Sequence, residues 1–182
     1  MTPEKLIQQA IQLAIKLDDH SNPRKKLLTT SERNIAFHIG ASLQQMIKDT
    51  DELMKYQVDV EYHRQGTDND PKKLDGKKVV PDILVNKRGV TFEEDEEANY
   101  LYLEIKIINN FNGERNSVLP ARIEGFQKDK RKLIHARSEK HYKHTAFLIF
   151  TRNGECYLEV DNIESKDSFD PLPLSQSLST RG

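Results

Sequence analysis

YLYLEIKII, residues 100–108, decides the fold together with an earlier apolar run, VVPDILV, at residues 79–85. Both runs are seven to nine residues long and rich in Val, Ile, Leu and Tyr, which predicts two buried β-strands. Charged side chains are rare inside buried strands unless they are paired or bind a metal. Because side chains two positions apart share a face, Glu104 and Lys106 are predicted to emerge side by side. Asp82 adds a second carboxylate, so the two runs predict a site for a divalent metal.

The composition indicates a single soluble domain. The chain has 182 residues, enough for a substantial core, of which 36% are hydrophobic and 31% charged. The single cysteine, Cys156, excludes an internal disulfide framework and fits a reducing compartment. No apolar run approaches the roughly 20 residues of a membrane span, and the N-terminus lacks a signal-peptide pattern. We therefore expect a cytoplasmic protein with no membrane partner.

Hydrophobic periodicity along the rest of the chain predicts the element order α-α-β-β-β-α-β-β. The predicted helices are 3–18, Thr29 or Thr30 to Lys48, and Pro120 to about Arg137. The further predicted strands are 58–62, 146–150 and 156–160, the last two joined by the turn signal Asn153-Gly154. Residues 64–78 are predicted to form a long loop. A meander of strands followed by a helix and more strands predicts an α/β sandwich with a mixed sheet.

Four short motifs follow one another in this framework. They are Pro81-Asp82-Ile83-Leu84-Val85, Arg88-Gly89, Glu104-Ile105-Lys106 and Asp129-Lys130-Arg131-Lys132-Leu133. The series resembles the PD-(D/E)xK nuclease superfamily, and within it uncharacterised stand-alone members. The resemblance implies the restriction-endonuclease-like fold, an α/β/α sandwich with a central mixed sheet. It covers residues 29–160 as the core of a domain at 1–160, with an N-terminal helix within 1–22 and a flexible tail at 161–182.

The resemblance also implies a chemistry, Mg²⁺-dependent endonucleolytic hydrolysis of DNA that leaves 5′-phosphate and 3′-hydroxyl ends. In the family pattern Asp82 and Glu104 bind Mg²⁺, for which Mn²⁺ can substitute, and the carbonyl of Ile105 is a further ligand. The metal activates a bound water, which Lys106 positions. Many relatives act as homodimers. The apolar surface of the first two helices would serve that purpose, although packing within the chain explains it as well.

Glu32 has two interpretations. In the superfamily a glutamate on the helix before the meander often completes the metal shell. Alternatively, Thr29 and Glu32 match a capping box, in which the glutamate lies three residues after the N-cap.

A basic stretch also has two interpretations. Residues 120–144 hold eight Lys/Arg against three Asp/Glu, although the net charge of the chain is −1. Lys128, Arg131 and Lys132 on this helix are candidates to bind the phosphate backbone of a duplex, Lys132 being the lysine of the last motif. An ordinary solvated helix face explains them equally well.

Three alternatives to the nuclease remain open from the sequence. The chain could be a non-catalytic nucleic-acid-binding or scaffold subunit that keeps the nuclease fold. It could be an interaction module whose acidic loop, residues 93–97, binds a basic partner. Glu104 and Lys106 could also be a surface ion pair on an edge strand, which typically contributes about 0–1 kcal/mol.

Overall fold

A computed structural model describes residues 1–17, 31–60, 73–74, 77–78, 81–108, 120–151, 156–161 and 172–173. The helices in this part of the chain are α1 (Pro3–Leu17), α2 (Glu32–Lys48) and α3 (Pro120–Ser138). The strands are β1 (Gln57–Val60), β2 (Lys73–Leu74), β3 (Lys77–Lys78), β4 (Ile83–Asn86), β5 (Asn99–Ile108), β6 (His144–Thr151), β7 (Cys156–Val160) and β8 (Leu172–Pro173).

The main sheet has the strand order β1-β4-β5-β6-β7-β8, while β2 and β3 pair separately. Neighbouring strands are antiparallel except β5 and β6, which are parallel. Parallel neighbours need a crossover connection, and α3 supplies it. This mixed sheet with its helices confirms the predicted α/β class.

The sheet separates two hydrophobic clusters, because alternate residues of each strand point to opposite faces. On one face, Ile83, Val85, Leu101, Leu103 and Ile105 pack against α1 and α2. On the other, Leu84, Tyr102, Phe147 and Ile149 pack against Leu133 and Ala136 of α3. Coverage of both faces explains why the central strands read as continuous apolar runs. The apolar stripes of α1 and α2 are buried within the chain, so intramolecular packing accounts for them.

Two predicted element starts are corrected by the structure. Helix α2 begins at Glu32, after the N-cap Ser31, whose side chain accepts a hydrogen bond from the Asn34 N–H at 3.3 Å. The predicted start at Thr29 or Thr30 was therefore too early. Strand β4 begins at Ile83, so Asp82 lies at a bend immediately before the strand and not inside it.

The loop predicted at 64–78 and the tail predicted at 161–182 both contain short strands. Lys73–Leu74 pairs with Lys77–Lys78, and Leu172–Pro173 adds to the edge of β7. Several predictions lie outside the described residues, namely the end of the first strand at 61–62, the Asn153-Gly154 turn and most of the tail. Within the described part of the chain, no helix has both the length and the hydropathy that crossing a membrane requires.

Helix α2 packs closely on β1, and Gly40 is the point of contact. A Cβ atom at this position would collide with the side chain of Val60. A glycine here lets the backbones of the helix and the strand approach each other, which sets the distance between α2 and the sheet.

Candidate metal centre

The candidate site lies where β5 continues past the start of β4. Ile83 pairs with Leu103, and among the described residues no strand pairs with 104–108 on the β4 side, while their other side pairs with β6. Buried backbone N–H groups left without a ladder partner need another acceptor. Asp82 Oδ2 accepts from the N–H of Ile105 at 2.6 Å, and Glu32 Oε1 accepts from the N–H of Ile107 at 2.9 Å. Two carboxylates from different elements are thereby fixed along one edge of β5.

The carbonyl of Ile105 points to this same edge. In a β-strand the N–H and C=O of one residue face the same neighbour, and the N–H of Ile105 faces Asp82. The geometry is therefore compatible with the predicted role of this carbonyl as a metal ligand.

Glu104 and Lys106 share one face of β5, the face that α3 covers. Glu104 is only 1% exposed. Its Oε1 accepts a hydrogen bond from the Tyr102 hydroxyl at 2.9 Å, and its Oε2 lies 2.7 Å from Lys132 Nζ on α3. The interpretation of Glu104 and Lys106 as an exposed surface pair is therefore wrong, because Glu104 is buried and its ammonium partner is Lys132.

Asp129 links the two lysines. Its Oδ1 lies 2.9 Å from Lys132 Nζ, and its Oδ2 lies 3.3 Å from Lys106 Nζ. Lys106 Nζ is also 3.8 Å from Glu32 Oε1. Four carboxylates (Glu32, Asp82, Glu104, Asp129) and two ammonium groups (Lys106, Lys132) thus form one carboxylate–lysine cluster. When all are ionised, the cluster carries an excess of two negative charges.

The electrostatics of the cluster favour the gain of a cation. Burial and nearby Asp82 together raise the pKa of Glu104 to about 8, although Lys132 acts in the opposite direction. Burial also raises the pKa of Asp82 to about 6, against the hydrogen bond from Ile105. Burial lowers the pKa of Lys132, but Glu104 and Asp129 outweigh that effect and raise it, so Lys132 remains protonated. Crowded carboxylates with raised pKa values are frequent at functional sites.

The residues fit a hard divalent cation, but they do not form a complete shell. No three Asp, Glu, His or Cys side chains among the described residues are grouped closely enough to hold an ion. Asp82 and Glu104 provide carboxylate oxygens, and the carbonyl of Ile105 lies on the same edge. Mg²⁺ is often bound through one or two carboxylates and keeps several waters, so this partial set of ligands agrees with its usual coordination in proteins.

Glu32 belongs to the cluster, and the capping-box interpretation is wrong. Ser31 is the N-cap, so Glu32 is the first residue of the helix and not the third. Its carboxylate accepts a hydrogen bond from the N–H of Ile107 on β5. The two residues are far apart in the chain, so this contact could not be predicted from the sequence.

The basic residues of α3 that were predicted to bind DNA differ in their exposure to solvent. Lys132 was predicted to bind a phosphate backbone, but its side chain is 15% exposed and contacts Glu104 and Asp129. Lys128 and Arg131 are exposed, and their contact with nucleic acid stays a prediction. Sequence reasoning gave no site role to Asp129 or to Tyr102. The only sequence signal was the position of Tyr102 two residues before Glu104, on the same strand face.

The acidic loop lies at the other end of β5 from the cluster. It connects β4 to the start of β5 at Asn99, whereas the cluster surrounds residues 104–107. Glu97 pairs with Lys55 and Asp95 pairs with Lys87, so part of its charge is neutralised within the chain. This pairing weakens the interpretation of the loop as a docking site for a basic partner.

Comparisons with protein-family models, with curated proteins and with solved structures found no match for this chain. The class of protein that the fold defines is a mixed α/β protein with a partly buried carboxylate–lysine cluster.

The metal-free protein should lose stability as the pH rises from about 5 to about 8. Because the pKa of Glu104 is raised from 4.5 to about 8, the folded state binds its proton more tightly than the unfolded state across this window. Asp82 adds an effect of the same sign between 3.8 and about 6. The slope that Glu104 contributes is at most about 1.4 kcal/mol per pH unit.

Urea unfolding in EDTA at several pH values across this window measures the effect. The free energy of unfolding of Glu104→Gln should depend less on pH than that of the wild type, since glutamine does not titrate. Equal slopes in the two proteins would contradict the prediction.

Proposed function

We propose that this chain is a Mg²⁺-dependent nuclease with a restriction-endonuclease-like fold, which hydrolyses phosphodiester bonds in DNA. The observation that carries the proposal is that Asp82, held at the edge of β5, lies near enough to buried Glu104 to raise its pKa, while Lys106 shares the strand face of Glu104. The strand meander, the helix that follows it and the mixed sheet support the proposal, because the resemblance implies a central mixed sheet. Both the sequence motifs and the geometry of the site support this function, whereas a likeness of fold alone would not indicate one.

The residues of the cluster have separate tasks in this proposal. Asp82 and Glu104 hold the metal, with Glu32 on the same edge of β5. When bound, Mg²⁺ polarises the scissile phosphate and lowers the pKa of its bound water. The Lys106 ammonium, 30% exposed and 3.3 Å from Asp129, is the cation of the cluster that is more open to solvent. We assign to it the positioning of the attacking water and the stabilisation of charge that develops on the phosphate.

One observation favours a second candidate, a nucleic-acid-binding subunit without catalytic activity. Lys132 Nζ lies 2.7 Å from Glu104 Oε2, so the two side chains form an ion pair. A protein that kept the fold for its architecture alone could retain this pair as a buried ion pair. DNA binding that depends on salt, but is indifferent to metal and to Glu104→Ala, would favour this candidate.

The experiment is a cleavage assay on supercoiled, linear and branched DNA in Mg²⁺, Mn²⁺ or EDTA. The wild type should cut at least one of these substrates in a metal-dependent manner. Lys106→Ala should lower the rate about 10²–10³-fold, the usual loss when one group that stabilises transition-state charge is removed.

Lys48→Ala is the matched control, because this lysine is exposed in the last turn of α2, at the opposite end of the helix from Glu32. It should leave the metal dependence unchanged. If wild type and Lys106→Ala are equally inert on every substrate in every metal, the proposal of a free-standing nuclease is wrong.

A further inference from the structure

Both carboxylate oxygens of Glu104 are already bound. Tyr102 donates to Oε1 at 2.9 Å, and Lys132 Nζ lies 2.7 Å from Oε2. Tyr102 and Glu104 are both almost fully buried, at 3% and 1% exposure. Lys132 therefore lies beside a carboxylate that solvent does not reach, and the free energy of leaving its ionised form unpaired is high.

Lys132 lies on α3, not on the strand that carries Glu104. Asp129, one turn earlier on α3, binds the ammonium group of Lys132 at 2.9 Å. An ammonium group has three donors, so Lys132 can contact both carboxylates at once. If Glu104 were taken by another cation, Asp129 would still retain the ammonium beside the site.

Lys106 has a different arrangement, although it lies on the same strand face as Glu104. Its ion pairs in the described residues are with Asp129 at 3.3 Å and Glu32 at 3.8 Å. The two lysines thus share Asp129 and differ in their second partner. Lys132 pairs with the buried ligand candidate Glu104, and Lys106 pairs with Glu32, whose side chain is 40% exposed.

From these contacts we infer that Lys132 is a built-in counter-ion that occupies the cation position at Glu104 and competes with the divalent metal for it. Metal binding moves the ammonium of Lys132 from Glu104 to Asp129, where it remains available to a substrate phosphate. The inference rests on the metal site of the proposed function, and it specifies how that site is controlled.

Calorimetric titration of Mn²⁺ into the full chain tests the inference without any assay of activity. Lys132→Met keeps the length of the side chain and removes the charge. We expect its affinity for Mn²⁺ to be about tenfold or more above that of the wild type, because a like charge near the ion is removed and Glu104 is left unpaired. Lys128→Met, one helical turn away and exposed, should have the affinity of the wild type.

Each outcome decides between the inference and the proposed function. Equal affinity in Lys132→Met and wild type, weaker affinity in the variant, or binding by neither protein overturns the inference. If the wild type cleaves DNA in a metal-dependent manner but Lys132→Met gains no affinity, the counter-ion role is wrong and the nuclease stands. If Lys132→Met binds Mn²⁺ more tightly but no substrate is cut, the counter-ion role stands and the nuclease is wrong.

The wild-type protein supplies a second readout in case Lys132→Met does not fold. The ammonium of Lys132 is paired and shielded from solvent, which favours its detection by NMR. Addition of Mg²⁺ should shift this signal as the contact with Glu104 is replaced. Binding of Mg²⁺ that leaves the signal unchanged would overturn the inference.

Discussion

Replacement of Glu104 by glutamine should reduce metal-dependent cleavage by about four orders of magnitude. A bound metal supplies several kcal/mol of transition-state stabilisation, and each 1.36 kcal/mol corresponds to about a tenfold change in rate. Glutamine preserves the shape of the side chain and removes the charge that would hold the ion. Because Glu104 is 1% exposed, solvent does not replace the lost ligand. Initial rates of nicking over a range of Mg²⁺ concentrations measure the effect.

The pattern of the loss identifies its cause. A weakened metal site predicts that high Mn²⁺ concentrations partly restore the Glu104→Gln rate. Glu96→Gln, at an exposed position in the acidic loop, should cleave at the wild-type rate. Circular dichroism of the variant separates loss of activity from loss of fold. Full activity in a folded Glu104→Gln protein would exclude Glu104 as a ligand of the catalytic metal.

Replacement of Gly40 by valine should destabilise the protein by about 3 kcal/mol, the upper end of the usual cost of overpacking a core. The first added carbon already collides with the Val60 side chain, and the branched methyl groups add further contacts. Either α2 moves away from the sheet or Val60 leaves its position. The free energy of unfolding from urea titration measures the loss.

Ala41→Val provides the control for the Gly40 substitution. Ala41 is the exposed neighbour on the same helix, so valine there changes only helix propensity, by less than about 1 kcal/mol. Equal losses of stability in Gly40→Val and Ala41→Val would show that the close approach of α2 to β1 does not prevent a side chain from fitting at position 40.

The sequence predicts those parts of the fold whose signal is local. Strand β5 was predicted from one long run of mostly apolar residues. The third helix begins at Pro120, as expected of proline in a first helical turn. The sharing of one face by Glu104 and Lys106 follows from strand alternation. The two-residue strands β2, β3 and β8 could not be predicted, since two residues are too few for a periodic pattern.

The cluster was predictable only in part, because half of it depends on tertiary packing. Asp82, Glu104 and Lys106 lie in motifs that can be read along the chain. The role of Asp129 depends on how α3 lies across β5, and that of Glu32 depends on where the N-terminus of α2 meets the same strand. A local role explains each residue in the sequence, an ion pair within the helix for Asp129 and a helix cap for Glu32. The sequence therefore gives no sign of their contacts with β5.

The difference in length between β4 and β5 also affects the behaviour of the protein in concentrated solution. A strand with free N–H and C=O groups along one side is a template on which a second chain can pair and aggregate. Asp82 and Glu32 occupy two of these N–H groups and place negative charge beside them. In the part of the chain that the structure describes, the carboxylates of the candidate metal site therefore also cover this side of the strand, so a substitution at either of them is expected to favour self-association.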